Sequence, residues 1–430
     1  VDSNLDFNPF QVILAIPRPI GISSSTPIPI FHAISSIGTG EAACAISRSV
    51  AMNRLVRSLY SSIHGFPHRR CASVCFVKEW GYGGLRRMQI RYAVAGKPIH
   101  HTLSPILMSL VSSHLKDQGF DLEISEYRLI ESTDVNAPMA WAWVKKSPSQ
   151  TEISNPLYGD VSTSKSFNRL TRIAEETISS GVIPNSDFVP MGESKIEGLP
   201  DTPKTVQGEI ESWISLTTPL KHLLSPRSGV YPIDQSLENG AVNQLRWNGN
   251  HWYCAGTDGR GLVTVAQHFG FDFQKQGIDS PLLCLNGGGG AARSSALAWS
   301  QSGGKIWSMG GRRALGNRGL WSKQLVAGDA VVDHIGKRLL IDYDLNPGSP
   351  KSSPSVSSDL QIISSYNNEP GNQMIEHIEG GTILDGRWLL TAQHLCAWAD
   401  LFEPASRDML PGLAQTMTWM VKMESALRAD

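Results

Sequence analysis

Four consecutive glycines, Gly287-Gly288-Gly289-Gly290, follow the apolar run Leu282-Leu283-Cys284-Leu285 and lead into Ala291-Ala292-Arg293. A glycine turn between a strand and a helix is where backbone can approach a pyrophosphate. Gly287 allows the tight turn and Gly289 the close approach. Ala292 takes the small third position of a GxGxxA pattern, where helix packs on strand. The helix start would offer free N–H groups and the positive end of its dipole to phosphate oxygens. Gly287, Gly288, Gly289, Gly290 and Ala291 are therefore candidate cofactor contacts. Taken alone, four glycines are equally a flexible loop. Further on, Gly310-Gly311-Arg312-Arg313 stands where an NAD-type fold usually carries an acidic residue for the ribose. A carboxylate would repel a 2′-phosphate, whereas Arg312 and Arg313 can hold one by charge-assisted hydrogen bonds. The expected cofactor is NADP(H) rather than NAD(H). The plain alternative is a solvated arginine turn.

The elements that must position these groups can be read outward. Residues 282–285 predict a buried strand, 291–300 a helix ended by Gly303-Gly304, and 305–309 a second strand. That is one βαβ unit of a parallel, doubly wound sheet. Upstream, Gln89 to Ala95 predicts a strand broken by Gly96-Lys97-Pro98. A helix over Leu103–Leu115 follows, with Ser104-Pro105 as N-cap and first-turn proline. Leu122 to Leu129 predicts a second strand. Residues 131–205 are polar and weakly periodic, and read as a long insertion with a helix near Arg169–Ser180. Ser215 to Lys221 follows a stretch that reads as helical up to Trp213 and puts a lysine near a strand-to-helix junction. Thr264 to Phe269 predicts a helix. After Arg313, strands are expected at 330–332, 339–341 and 360–363, with a Pro/Ser-rich loop at 346–358. Helices are expected at 389–402 and 413–428.

Length and composition bound the rest. The 430 residues suffice for two or three domains; net charge is −1 and hydrophobic content 41%. Neither nucleic acid nor an acidic membrane is an expected partner. No run of 18 apolar residues predicts a transmembrane helix. The six scattered cysteines suit free thiols in a reducing compartment, so a cytoplasmic location is expected. Cys71 and Cys75 lack companions for a zinc site, and His100-His101 lack ligand partners, so no metal is expected. Residues 1–87 differ from the rest: acid-poor, arginine-rich, and dense in Pro, Ser and Ile, with a plausible helix at 41–62. An organelle transit peptide, a remnant of a fused domain, and translated sequence ahead of a start at Met88 all fit. The segment is expected to be poorly ordered or loosely attached.

Several pieces together, in order, resemble shikimate dehydrogenases. Gly96-Lys97-Pro98-Ile99-His100-His101-Thr102-Leu103-Ser104-Pro105 is similar to the family's G-x-P-I-x-H-S-x-S-P. Ser215-Leu216-Thr217-Thr218-Pro219-Leu220-Lys221 matches its N-V-T-x-P-x-K, Gly240 to Asn243 its G-A-V-N, and Gly256-Thr257-Asp258-Gly259 its N-T-D-G. Gly287 to Arg293 matches G-A-G-G-A-x-R, Gly311-Arg312-Arg313 its N-R-T, and Gly386 to Gln393 its G-x-x-M-L-x-x-Q. The resemblance covers about residues 88–403. Among the departures from it, Ser215, Gly256 and Gly311 each replace an asparagine.

The resemblance implies an N-terminal α/β substrate-binding domain, a Rossmann domain with a doubly wound parallel sheet for NADP, and a cleft between them. The implied boundaries are an extension at 1–87, a substrate domain at 88–260, an NADP domain at 261–384, and helices at 385–430 that return to the substrate domain. Lys221 would be the catalytic acid/base, with Asp258 beside it. Thr102 and Ser104 would hold a substrate carboxylate, with Tyr366 near it. Thr217, Asn243 and Gln393 would read ring hydroxyls. Gly386 and Leu389 would fall on the cofactor side. The implied reaction is NADP-dependent reduction of 3-dehydroshikimate to shikimate, on the route to aromatic amino acids, by a monomer or homodimer. Quinate or another polyol carboxylate as substrate, or an inactive NADP-binding relative, are the alternatives.

Overall fold

Strand β1, Met88–Gly96, runs through the centre of the first lobe. Its side chains alternate between two apolar clusters, as a period-two strand requires. Ile90, Tyr92 and Val94 enter one core, and Ala93 and Ala95 the other. A strand buried on both faces must lie inside a covered sheet. It does: β1 pairs in parallel with β2, Leu122–Glu131, on one side and β3, Glu211–Leu216, on the other. This computed structural model describes residues 88–143, 153–179, 210–328, 331–344, 356–366 and 374–429. The 1–87 extension, with its expected helix at 41–62, lies outside them.

The remaining strands of the first sheet are β4, Val230–Pro232, β5, Gln244–Trp247, and β6, Trp252–Ala255. The order is β2-β1-β3-β5-β6-β4, with β5 antiparallel to both neighbours. Helix α1, Ser104–Asp117, packs on one face, and α2, Asn136–Trp143, contributes Met139 and Trp141 to the other. Helix α3, Ser164–Ser179, falls in the polar 131–205 stretch, and its Leu170, Ile173 and Ala174 are buried against the α1 side. The described part of that stretch is thus built into the lobe. The expectation of helix up to Trp213 is corrected at its described end: Glu211 to Trp213 belong to β3. Its side chains Ser212 to Leu216 are buried on both faces, and β1 and β5 satisfy its backbone. Arg246 and Glu211 tie β5 to β3 through two bonds of 2.8 Å, while Trp213 Nε1 donates to Glu211 at 2.7 Å.

The second sheet contains β7, Leu282–Asn286, β8, Lys305–Gly310, β9, Arg338–Asp342, β10, Leu360–Ile363, and the hairpin β11, Ile375–Ile378, with β12, Gly381–Leu384. The order is β11-β12-β10-β9-β7-β8. All pairs are parallel except the β11–β12 edge. β7 therefore has β8 on one side and β9 on the other, and the chain reverses direction across it. The crevice outside the carboxyl end of such a strand is where doubly wound sheets take ligands. Here that end is Asn286, followed by the glycine turn. The expected strand at 330–332 is absent from the described part: residues 331 and 332 form a turn, Val331 packed with Leu282, Cys284 and Leu340 and Val332 81% exposed.

Three helices join the lobes. The short α4, Ser236–Asn239, precedes α5, Asp258–His268, which leaves the first sheet, and α6, Gly290–Gln301, follows the glycine turn. Helix α7, Arg387–Ala397, returns to the first lobe and continues through a π-turn at Trp398–Phe402; α8, Leu413–Ala429, closes the described chain. Two glycines permit close crossings. A Cβ on Gly259 would collide with Ser294 O of α6, and one on Gly261 would fall 2.7 Å from Gln393 N of α7. Helix α5 is thus wedged between α6 and α7, which fixes the lobes to each other through backbone contact.

Candidate active site

Lys221 sits in a single 3-10 turn, Leu220–His222, directly after β3. Leu220 is fully buried and anchors that turn, and its N–H bonds Thr217 O at 2.8 Å. Asp258 opens α5, where a carboxylate meets the positive end of the helix. The two side chains meet: Lys221 Nζ donates to Asp258 Oδ2 at 2.6 Å. Asn243 Nδ2 donates to the other oxygen, Oδ1, at 2.7 Å. Asn243 is itself braced, because Thr257 N donates to its Oδ1 at 2.7 Å. The carboxylate is therefore held from both sides. The Asp258 side chain is 3% exposed, while Lys221 keeps 17%. The ammonium reaches solvent with donors to spare, and the carboxylate behind it does not.

The glycine turn lies against this pair. A Cβ on Gly290 would stand 3.1 Å from Lys221 Cβ, so α6 begins beside the lysine. Arg293 donates to Gly240 O at 2.9 Å, and Ser294 Oγ accepts from Gly259 N at 2.9 Å. These contacts bring together the four expected pieces at 215–221, 240–243, 256–259 and 287–293. The loop at 96–105 joins them through β1: Lys97 N donates to Thr218 O at 2.7 Å, and Thr217 N to Ala95 O at 2.8 Å. Thr102 and Ser104 are buried at the start of α1, and Ser104 N donates to Thr102 Oγ1 at 3.3 Å. Tyr366 comes from the second lobe to the same loop, with its hydroxyl 3.5 Å from His101 O and its ring 5.5 Å from the Arg387 guanidinium. Burial pushes the Tyr366 phenol up to about 12. Gln393 is half-buried at the α5–α7 crossing. Leu389 is in the core, 7% exposed, and Gly386 is pressed against the Ile363 and Ser365 carbonyls. Neither has a contact with the Lys221 pair among those described.

The turn itself fits a pyrophosphate. Gly289 caps α6 with no side chain bonded to the helix N–H groups, and a Cβ there would meet nothing within 4 Å. At Gly287 the backbone has φ +102°, which favours glycine. Arg312 and Arg313 are exposed at the end of β8. One acidic group stands beside them. Asp344, two residues past β9, accepts a hydrogen bond from Arg312 N and lies 3.9 Å from its guanidinium.

The three asparagine replacements have physical reasons. Gly256 has Ser236 Cβ and Ala241 O each 2.9 Å from where a Cβ would stand, so α4 occupies the space of a longer side chain. Gly311 has φ +106°, and a Cβ would lie 2.8 Å from Gly287 N. Ser215 has a role of its own: its hydroxyl bonds Tyr92 OH at 2.7 Å and Gln244 Oε1 at 2.8 Å.

Other participants carried no signal in the sequence. Tyr158 OH and Asn155 Nδ2 donate to Thr102 O at 2.7 and 3.1 Å, and both belong to the polar 131–205 stretch. His394, next to Gln393, bonds Ser104 Oγ at 2.9 Å. Thr257 was visible only as a letter inside the 256–259 segment. A small, partly open pocket lies nearby, lined by Asp234, Ser236, Gly256, Arg260, Ser294 and Gln301, but not by Lys221 or Asp258. Among the described residues, no group of three His, Cys, Asp or Glu could hold a metal, and no helix is long and apolar enough to cross a membrane.

The strand orders define a two-lobed α/β protein whose second lobe is doubly wound. No family model and no curated protein matches the chain. Among solved structures it is similar to the shikimate 5-dehydrogenase of Thermus thermophilus in complex with shikimate. The identity is 18%, over 79% of this chain and 98% of that one, with a TM-score of 0.43. It is also similar to a chorismate mutase/shikimate 5-dehydrogenase fusion protein from Clostridium acetobutylicum, with 14% identity over 80% and 99% of the two chains and a TM-score of 0.44. A third is the 5-ketofructose reductase of a Gluconobacter strain, with 13% identity over 78% and 99% and a TM-score of 0.38.

Proposed function

We propose that the protein is an NADP(H)-dependent oxidoreductase that interconverts a ring ketone and its alcohol, with 3-dehydroshikimate and shikimate as the substrate pair. The observation that carries the reading is the Lys221–Asp258–Asn243 constellation set directly against the glycine turn. The substrate assignment rests on the ordered motifs between Gly96 and Gln393.

Gly287 to Ala291 would hold the pyrophosphate, and Arg312 with Arg313 the 2′-phosphate. When bound, NADP(H) supplies or accepts the hydride. Everything else belongs to the chain. Lys221 Nζ has three donors, and one is spent on Asp258. The others face the solvent side, where a carbonyl oxygen can take a proton as negative charge develops on it. In the reverse direction the same amine removes the hydroxyl proton. Asp258 offsets the lysine charge and orients Nζ, and Asn243 keeps the carboxylate from swinging away. Thr102 and Ser104 would seat the substrate carboxylate, Tyr366 standing at the edge of that seat. Thr217, Asn243 and Gln393 would contact the ring hydroxyls.

The test is direct. Purified protein is mixed with shikimate and NADP, and the NADPH absorbance band is followed, with quinate as a parallel substrate. Turnover with shikimate is expected. Bound cofactor without turnover of either acid would remove the enzymatic reading.

A further inference from the structure

The Ser104 hydroxyl is 2.9 Å from Nε2 of His394, and both residues are buried. The other ring nitrogen, Nδ1, is buried without a hydrogen-bond partner. This asymmetry selects a tautomer. A proton on Nδ1 would leave a buried N–H orphaned, which folded proteins rarely tolerate. A proton on Nε2 leaves only a bare lone pair and makes the ring a donor to Ser104. Burial also lowers His394 to about 4, which keeps the ring neutral near pH 7.

The neighbours fix the rest of the directions. Ser215 donates to Gln244 Oε1 at 2.8 Å, and so its bond with Tyr92 at 2.7 Å must be donated by the phenol. The Tyr92 hydrogen is thereby spent, and its oxygen can accept from Ser104, which lies beside it. Beyond Gln244, Nε2 donates to Thr257 Oγ1 at 3.5 Å, and Asn243 donates to Asp258. From His394 to Gln244 the bonds point the same way, toward the Lys221 pair; beyond Gln244, Thr257 and Asn243 bond each other in both directions, at 3.3 and 3.1 Å. Two amides interrupt the series, so it orders side chains rather than conducting protons. Thr102 Oγ1 already accepts from Ser104 N, which leaves its hydrogen available as well.

The geometry points to His394 as a positioning residue that donates to Ser104 and so commits the Thr102–Ser104 pair to act as hydroxyl donors toward an anionic ligand group. A carboxylate is the matching class, because it only accepts. With no ligand, Ser104 turns its hydrogen to Tyr92; with one, to the anion. The identity of the ligand rests on the proposed function, but the direction of the hydrogen bond does not.

Two measurements test this on the full chain. In protein labelled with ¹⁵N-histidine at pH 7, the resonance that His394→Gln removes should show the Nε2–H tautomer and should shift in Ser104→Ala. An Nδ1–H tautomer or an imidazolium overturns the inference, whatever the substrate. The second measurement compares shikimate with its uncharged methyl ester. His394→Leu should weaken shikimate binding about tenfold or more, the loss of a donor's support to a charged group. Ester and NADPH binding should be unchanged. His394→Gln, whose amide can donate from the same place, should stay near wild type. Equal losses for acid and ester, or equal losses in both variants, overturn the inference. If the wild type fails to bind shikimate, the substrate assignment fails, and the tautomer still decides the role of His394.

Discussion

Gly290 and Lys221 meet back to back, with 3.1 Å between the Lys221 Cβ and the place a Cβ would take on the glycine. The first residue of the helix expected to receive phosphates is thus also a wall of the expected acid/base. Gly290→Ala needs a shift of only tenths of an ångström. Gly290→Val adds branches that must push the lysine turn aside. A displacement near 1 Å can cost roughly 10²-fold in rate. Valine is therefore expected to lower kcat by about tenfold or more, with alanine between it and wild type. Steady-state kinetics with shikimate check the order; a valine variant with normal kcat would uncouple the turn from the lysine.

Removal of the lysine amine should be more severe. Lys221→Ala is expected to lower kcat by about 10² or more, the usual contribution of a positioned acid/base. Asp258→Asn keeps a hydrogen-bonding side chain but deletes the charge beside Nζ. It should also depress kcat, with little change in NADPH affinity. Unchanged turnover in Lys221→Ala would take it out of the mechanism.

The sequence made the second lobe legible because its signals are local. Leu282 to Met309 reads as strand, turn, helix and strand, and each neighbour in sequence is a neighbour in space. The site was legible only as ordered fragments. Lys221 and Asp258 are 37 positions apart, and nothing in either segment says that they touch. Trp213 misled because its apolar neighbours suit helix or strand equally, and only pairing with β1 and β5 decides. Tyr158 and Asn155 escaped notice because single polar residues in a polar stretch have no period. Their role is set by the Thr102 carbonyl, far away in sequence.

Acid should weaken the fold through His394. Its folded pKa, about 4, lies below the ordinary 6.5, and burial is the cause. Between these values the unfolded chain binds a proton that the native chain refuses. Stability therefore falls as pH drops from about 6.5 toward 4, by up to roughly 3 kcal/mol. His114, lowered by burial as well, adds a change of the same sign. Urea unfolding of wild type and His394→Leu across this range should give a shallower slope in the variant. Parallel slopes would mean that His394 is not the group responsible.

The arginine turn should discriminate between cofactors. Arg312→Ala is expected to weaken NADPH by about 10–100-fold, the range for a lost bond to a charged group, and NADH far less. Asp344 sharpens the test, since its carboxylate stands beside Arg312. Asp344→Asn should tighten NADPH relative to NADH by removing a negative neighbour of the 2′-phosphate. Fluorescence titration of both cofactors reads each effect. Equal losses for NADPH and NADH in Arg312→Ala would leave the 2′-phosphate without its expected partner.

Helix α7 must stay in place, because it carries both Gln393 and His394. Its first residue, Arg387, is held by Glu424 of α8 through bonds of 2.7 and 2.9 Å, and by Asp385 at 3.1 Å. Arg387 and Glu424 are 1% and 0% exposed, so neither charge has water to fall back on. Loss of one partner strands the other, at a cost of about 3–5 kcal/mol, whereas an apolar pair of similar volume is often neutral. Arg387→Met and Glu424→Leu should each lower stability by that amount, and the double variant should recover most of it. Chemical denaturation of the four proteins gives the coupling directly. If the double variant regains stability and also shikimate affinity, the pair only holds the helix. Asp385 then becomes the informative residue, because its 3.1 Å bond to Arg387 is lost in that double variant while its carboxylate still accepts from the backbone N–H of residue 387 at 2.9 Å, anchoring the helix start by backbone alone.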